Sequence, residues 1–320
     1  MLRMNSRYYL NQPDPFGPMS SSLFQEGQKT CPGLYCGRTV LSSEGGEANY
    51  SACGACPRGY QPNSESLCTE CADDMRLYDW LYLGFMCLIP LMLNFFFTEM
   101  FAKKANVILL HVSSILESII AAVLALLVVD PKGRMNLNTC RVKRLSDWYT
   151  MFKNPQPSYS VTLHCTQEAV FPLFSVVLIY YAFNLALMMI VRPMLSYKFC
   201  KNLGRSSIYA ALYFHPILVV FHAVFSGLVY FSFPYVVTAA SLTTHAVHFA
   251  FQGIQKPMQL LTKKRSLVIL LLHWLVHAFS IVAITEFRKP LRDSLLFLLL
   301  PVPAMFYLLT AKFTDPSEQT

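Results

Sequence analysis

The chain has 320 residues, of which 54% are hydrophobic and only 14% are charged, and its net charge is +8. A soluble globular domain carries about 25% charged residues, so this composition excludes that class. The mean hydropathy of +0.39 is typical of a polytopic membrane protein. The basic residues gather beside apolar stretches and do not alternate with aromatic residues. This arrangement predicts membrane topology signals and no nucleic-acid partner.

The chain begins with two segments that precede any apolar stretch. Residues 1–30 are rich in Ser, Pro, Asn and Gln, and we expect a disordered extension without a cleavable signal peptide. Residues 31–77 hold six of the ten cysteines. With so many cysteines in so short a segment, cross-links rather than a large apolar core are expected to hold it together.

The cysteines outside the predicted helices allow two interpretations. Two CxxC pairs within 53–71 have the spacing of a four-thiolate zinc site. Such a site would leave Cys31 and Cys36 unexplained, and an even number of loop cysteines on one side of a membrane indicates an oxidising compartment. We therefore predict disulfides, with their pairing open, among Cys31, Cys36, Cys53, Cys56, Cys68, Cys71, Cys140 and Cys165.

Seven apolar stretches are long enough to cross a bilayer, which takes about 20 residues of helix. Aromatic residues at the start of the first stretch are typical of a belt at the membrane surface. The predicted spans are 78–99, 105–129, 169–191, 208–231, 234–254, 266–285 and 294–311, with a loop at 130–167 and a tail at 312–320. The sequence thus predicts an all-α polytopic membrane domain over residues 78–311 behind a small disulfide-rich N-terminal segment.

The charges that flank the first span predict its orientation. Lys103 and Lys104 follow it, whereas Asp73 and Asp74 precede it, which places the N-terminus outside the cytosol and the C-terminus inside it. An N-glycosylation sequon at Asn49 agrees with this orientation. The 130–167 loop opposes it, because it carries six basic residues on the same side as the N-terminus.

Ionisable groups inside the predicted spans are the candidates for chemistry. Glu117 lies midway along the second span, and pairs of histidines share a helical face in the fifth and sixth spans. Neutral imidazoles in such positions bind zinc, and a carboxylate beside them would activate water. One alternative is therefore an intramembrane metal-dependent hydrolase, and another is a small-molecule receptor or transporter; the plainer alternative is a structural polar core. The residues concerned are Glu117, His245, His248, His273 and His277.

Several stretches, in this order along the chain, resemble the seven-transmembrane Jun-kinase-associated membrane protein family. They include CPGLYCGRT at 31–39, LYDWLYLGFM at 77–86, LSDWYTMFKNPQPSY at 145–159, HWLVHAFSI at 273–281 and PAMFYLLTAKFTDPS at 303–317. No single stretch is a catalytic signature, but their joint order from Cys31 to Ser317 is specific.

The resemblance implies a multi-pass protein of the endoplasmic-reticulum membrane with a luminal N-terminus, seven spans and a cytosolic tail. It implies a non-enzymatic adaptor without a cofactor, which recruits proteasome subunits, a membrane ubiquitin ligase and other components of ER-associated degradation to clear misfolded proteins. It further implies Jun N-terminal kinase as a partner, with signalling prolonged under stress. No residue of the chain is assigned to these contacts by the resemblance.

Overall fold

The computed structural model describes residues 30–44, 47–101, 106–153, 163–200, 204–252 and 264–314. Within these ranges the chain is mostly helical. The helices are α1 (Leu77–Phe101), α2 (Val107–Val128), α3 (Leu173–Phe199), α4 (Arg205–Gln252), α5 (Lys264–Thr285), α6 (Pro290–Leu295) and α7 (Val302–Thr314). By length and composition, 6 helical stretches of the described part could cross a membrane: the helices α1 to α5 and the stretch Pro290–Thr310, which includes α6 and most of α7. The apolar composition therefore predicted the class correctly, whereas the count of seven spans is not confirmed.

The difference arises in α4, where the prediction of two helices separated at Ser232 and Phe233 is wrong. One helix of 48 residues runs through both predicted spans. Pro234 has no N–H, so it frees the carbonyl of Tyr230 one turn earlier. The Tyr78 hydroxyl donates to that carbonyl at 2.6 Å. A contact from another helix thus compensates the proline, and the helix does not end there.

The last predicted span, 294–311, is present in interrupted form. A 3-10 segment, Leu296–Leu299, separates α6 from α7. Pro301 and Pro303 lie at the interruption and the start of α7, where a missing N–H is tolerated. The predicted extension up to residue 29 and the tail from residue 315 lie outside the described residues.

Short antiparallel strands build the Cys-rich segment, which we call the cap (residues 30–76). The strand pairs are β1 (Cys36–Gly37) with β4 (Gly54–Ala55), β2 (Val40–Glu44) with β3 (Glu47–Tyr50), β5 (Tyr60–Pro62) with β6 (Cys68–Glu70), and β7 (Asp73–Asp74) with β8 (Asn138–Thr139). The last pair joins the cap to the segment between α2 and α3, which we call the connection (residues 130–172). The all-α prediction thus applies to the membrane part and not to the cap.

The connection packs on α4 at a glycine. Two short 3-10 segments, Leu145–Asp147 and Thr150–Lys153, bring Trp148 and Tyr149 against the helix. A Cβ atom at Gly227 would lie 2.7 Å from Cβ of Trp148 and 2.8 Å from Cε2 of Tyr149. Only glycine allows this close approach, so the position fixes where the connection sits on the helix bundle.

Substituting Gly227 with alanine is expected to destabilise the protein by about 1–3 kcal/mol, because the added methyl group overlaps the Trp148 and Tyr149 side chains. The apparent unfolding temperature in detergent and hydrogen exchange in the 145–153 segment measure the loss. Gly84→Ala in α1 is the matched control, since no atom of the described residues lies within 4 Å of its added Cβ. A helical alanine there should be neutral or stabilising by up to about 1 kcal/mol. Equal effects of the two variants would contradict the packing described.

Candidate functional site

Four disulfides hold the cap together and join it to the connection. Cys31–Cys53 and Cys56–Cys68 lie within the cap. Cys36–Cys165 and Cys71–Cys140 each link the cap to the connection. The CxxC cysteines are therefore divided among different disulfides, and the zinc alternative does not describe them. Asn49 is exposed on β3, and its glycosylation remains a prediction.

Hydrogen bonds reinforce the junction between the cap and the connection. The Tyr35 hydroxyl donates to Oδ1 of Asp147 at 2.8 Å and lies 3.0 Å from the hydroxyl of Ser146. The other carboxylate oxygen of Asp147 accepts the backbone N–H groups of Lys143 and Arg144 at 2.8 and 2.9 Å. Burial raises the pKa of Tyr35 to about 12, so the hydroxyl is protonated and donates at neutral pH.

Replacing Tyr35 with phenylalanine is expected to loosen this junction by about 1–3 kcal/mol, because the buried Asp147 carboxylate loses a donor. Since the Tyr35 pKa lies above its ordinary value of 10.0, the contribution is fully present below pH 10 and is lost as the pH rises through about 12. Protease cleavage of the cap measures the change, with the exposed Tyr50→Phe as control. A cap of unchanged resistance in Tyr35→Phe would contradict the role of this contact.

A second polar cluster lies where α1 begins. The Arg76 guanidinium is 3.3 Å from the Asp79 carboxylate and donates to the Tyr230 hydroxyl at 2.8 Å. That hydroxyl donates in turn to Asp79 at 2.5 Å. Asp79 is 2% exposed, so its charge is compensated by these partners. The cluster attaches the start of α1 to the middle of α4.

A fully buried ion pair joins α2 and α3. Nε of Arg192 donates to Oε2 of Glu117 at 2.9 Å, and Nη2 lies 2.8 Å from the same oxygen. Nη1 of Arg192 donates to the side-chain oxygen of Asn94 in α1 at 2.6 Å. The hydroxyl of Ser113 donates to the other Glu117 oxygen at 2.5 Å. Arg192 and Glu117 are 1% and 2% exposed, so three helices are tied together around a compensated pair.

This arrangement gives Glu117 a different role from the one considered for a hydrolase. Both carboxylate oxygens are occupied by donors, and one of these donors is the Arg192 guanidinium. Leaving one of these buried charges without its partner would cost a large free energy of folding. The pair therefore specifies how α1, α2 and α3 pack.

The structure gathers part of the predicted histidine set elsewhere, between α4 and α5. The His245 and His273 rings stack with centroids 5.1 Å apart, and His248 lies 6.5 Å from His273. The His273 ring bonds the Ile269 carbonyl at 2.7 Å and lies 3.0 Å from the Thr244 hydroxyl. Within the described ranges, no three His, Cys, Asp or Glu side chains are placed as a metal ion requires. Glu117 is instead bound to Arg192, and His277 lies one turn beyond His273 on α5.

Arg192 and Asn94 were not anticipated from the sequence. The Arg192-Pro193 pair predicts the end of the third span, whereas α3 continues to Phe199 and carries Arg192 inside the membrane part. The signal that would have found it is Glu117 itself, because a lone carboxylate at membrane depth needs a cation on another helix.

Comparison with known proteins agrees with the ordered stretches noted in the sequence. Residues 31–316 match a family described as JNK1/MAPK8-associated membrane protein. The human and mouse proteins of that name are 48% identical to this chain over 297 residues, which cover 91% of this chain and 96% of theirs. A homologue from Caenorhabditis elegans is 34% identical over 315 residues, 91% of this chain and 95% of its own. No solved structure matches the chain. The chain therefore belongs to the JNK1/MAPK8-associated membrane protein family.

Proposed function

We propose that the chain is a non-enzymatic adaptor of the endoplasmic-reticulum membrane. It binds Jun N-terminal kinase and brings proteasome subunits, a membrane ubiquitin ligase and other degradation components to misfolded proteins under stress. The observation that carries the proposal is the match over residues 31–316 to a family named for its association with JNK1/MAPK8. Relatives that share 48% identity over 91% of the chain bear the same name.

The disulfides support a luminal position for the cap. Structural disulfides persist in oxidising compartments and are rare in the cytosol, and four of them lie in the cap and the connection. On this proposal the kinase and the degradation components bind on the opposite side of the membrane.

A luminal cap and a cytosolic tail together require an odd number of crossings, so this part of the proposal needs one crossing more or fewer than the 6 candidate helices of the described residues provide. A continuous helix of 48 residues has about 72 Å of axis, and although this exceeds the roughly 30 Å of a bilayer core, it supplies one crossing unless it reverses direction. Its first half packs antiparallel on α1, with Phe214 on Phe97 and Tyr230 on Tyr78. Its second half packs on α5, from Thr238 against Ser280 onwards. The middle of α4, at Tyr230, and the end of α5 lie on the side of the cap. The apolar side chains of these helices farther from the cap are exposed and need lipid around them.

Kinase binding is tested with full-length protein in phosphatidylcholine nanodiscs mixed with purified Jun N-terminal kinase. The proposal predicts retention of the kinase by this protein and not by empty nanodiscs. Adding proteasome particles in a parallel experiment tests the degradation role separately. Binding of neither component would contradict the proposal, and binding of the kinase alone would restrict it to signalling.

A further inference from the structure

Two cavities adjoin where the connection meets α4. One has a volume of about 460 Å³ and the other about 320 Å³, and Lys143, Phe231 and Tyr235 line both. We call the two together the interfacial groove. Tyr78 in the first turn of α1 and Ile284 near the end of α5 also line it. Because α1 begins and α5 ends beside the groove, and both helices are apolar enough to cross a membrane, we place the groove at the membrane surface on the cap side.

The wall of the groove that leads toward the membrane is apolar and uncovered. Leu228 is 50% exposed, Phe231 is 40% exposed and Tyr235 is 64% exposed. All three lie on α4, in a helix apolar enough to span a bilayer. Such a surface is stable next to acyl chains, and aromatic residues at this level are typical of the membrane interface. This apolar wall therefore fits the acyl chains of a lipid.

The opposite wall is basic. Lys143 and Arg144 are exposed there, and their backbone N–H groups bond Asp147. No salt bridge among the described residues includes either side chain. The other charges that line the groove have partners, because Arg76 pairs with Asp79 and Glu286 pairs with Arg288 at 2.8 Å. Two positive charges without a salt bridge among the described residues thus stand above an apolar wall.

We propose that the interfacial groove binds an anionic phospholipid from the leaflet on the cap side. Lys143 and Arg144 bind the headgroup phosphate, and the acyl chains run along Leu228 and Phe231. Charge complementarity selects the anionic headgroup, and the position of the groove at the ends of the spans selects a lipid over a soluble anion. The 130–167 loop carries six basic residues that oppose the predicted orientation of the chain, and lipid binding would explain two of them.

The test measures which lipids the full-length protein retains. The protein is reconstituted in phosphatidylcholine nanodiscs that contain a minor fraction of phosphatidylserine, and lipids that remain after detergent exchange are counted by native mass spectrometry. The proposal predicts enrichment of phosphatidylserine. Removing a basic residue near the membrane is expected to lower the preference about fivefold, so Lys143→Gln/Arg144→Gln should lower it about 25-fold.

A matched control separates a site from a general charge effect. Lys132 and Arg134 are also exposed in the connection but line neither cavity, so Lys132→Gln/Arg134→Gln removes the same charge and should retain the preference. Lys143→Arg/Arg144→Lys should retain it too. Equal loss in both glutamine variants, or equal retention of the two lipids by the unmodified protein, would overturn the proposal. Displacement of the lipid by glycerophosphoserine or inorganic phosphate would identify a soluble anion as the ligand and overturn it as well. A cross-link from Lys143 to residues 1–29 in place of bound lipid would identify that segment as the occupant of the groove, and it would also overturn the proposal.

Discussion

Replacing Arg192 with methionine is expected to destabilise the protein by about 3–5 kcal/mol, because the substitution leaves Glu117 buried without its cation. Among the described residues, the Glu117 carboxylate would keep only the hydroxyl of Ser113 as a partner. Asn94 would lose its donor from Arg192 at the same time. A fall in the apparent unfolding temperature of the purified protein in detergent measures the effect.

A double substitution distinguishes the cost of an unpaired charge from the value of the pair. Glu117→Leu/Arg192→Met replaces both charges by apolar groups, and it should be more stable than Arg192→Met alone. Glu99→Gln serves as the control, because the Glu99 side chain is 69% exposed and pairs with His111 at the surface. It should change stability by less than about 1 kcal/mol. An Arg192→Met protein as stable as Glu99→Gln would contradict the buried pair.

Opening the Cys36–Cys165 disulfide is expected to cost about 2–5 kcal/mol and to expose the cap to proteases. The bond joins residues 129 apart in the sequence, and it fixes β1 on the connection. Cys36→Ser/Cys165→Ser avoids a stray thiol. Cys71–Cys140 would still hold the cap to the connection, so cleavage within the cap should become faster without releasing it from the membrane part.

Two further variants test whether this effect is specific to the Cys36–Cys165 disulfide. Cys56→Ser/Cys68→Ser opens a bond between residues only 12 apart, and the chain-entropy account predicts a smaller loss for the shorter loop. Cys87→Ser changes a free, half-buried cysteine and should leave cleavage of the cap unchanged. If Cys36→Ser/Cys165→Ser behaves like Cys87→Ser, the cap is held by other contacts than this bond.

The membrane helices and the existence of disulfides could be predicted from the sequence because both depend on local or summed properties. Hydropathy over about 20 residues identifies a span, and an even number of cysteines on one side of a membrane indicates disulfides. The pairing could not be predicted. Cys36 meets Cys165 only because the connection folds back on the cap, and no local pattern encodes that contact.

The continuous α4 and the buried ion pair were missed for a related reason. Pro234 ends a helix unless another group bonds the carbonyl that it frees, and here that group is Tyr78, 152 residues from Tyr230 in the sequence. Glu117 was recognised as a buried carboxylate, but its partner Arg192 lies 75 residues away on another helix. The spacing of His273 and His277 correctly places them on one helix, whereas the distance from Glu117 to any histidine depends on helix packing.

Proximity labelling from the two ends of the chain is the most direct test of the proposed adaptor function and orientation. A labelling enzyme is fused either to the N-terminus or to the C-terminus and expressed in stressed cells. We expect the C-terminal fusion to label Jun N-terminal kinase, proteasome subunits and a membrane ubiquitin ligase, and the N-terminal fusion to label luminal proteins. The same set of labelled proteins from both ends, or no kinase and no proteasome subunits from the C-terminal end, would contradict the proposal.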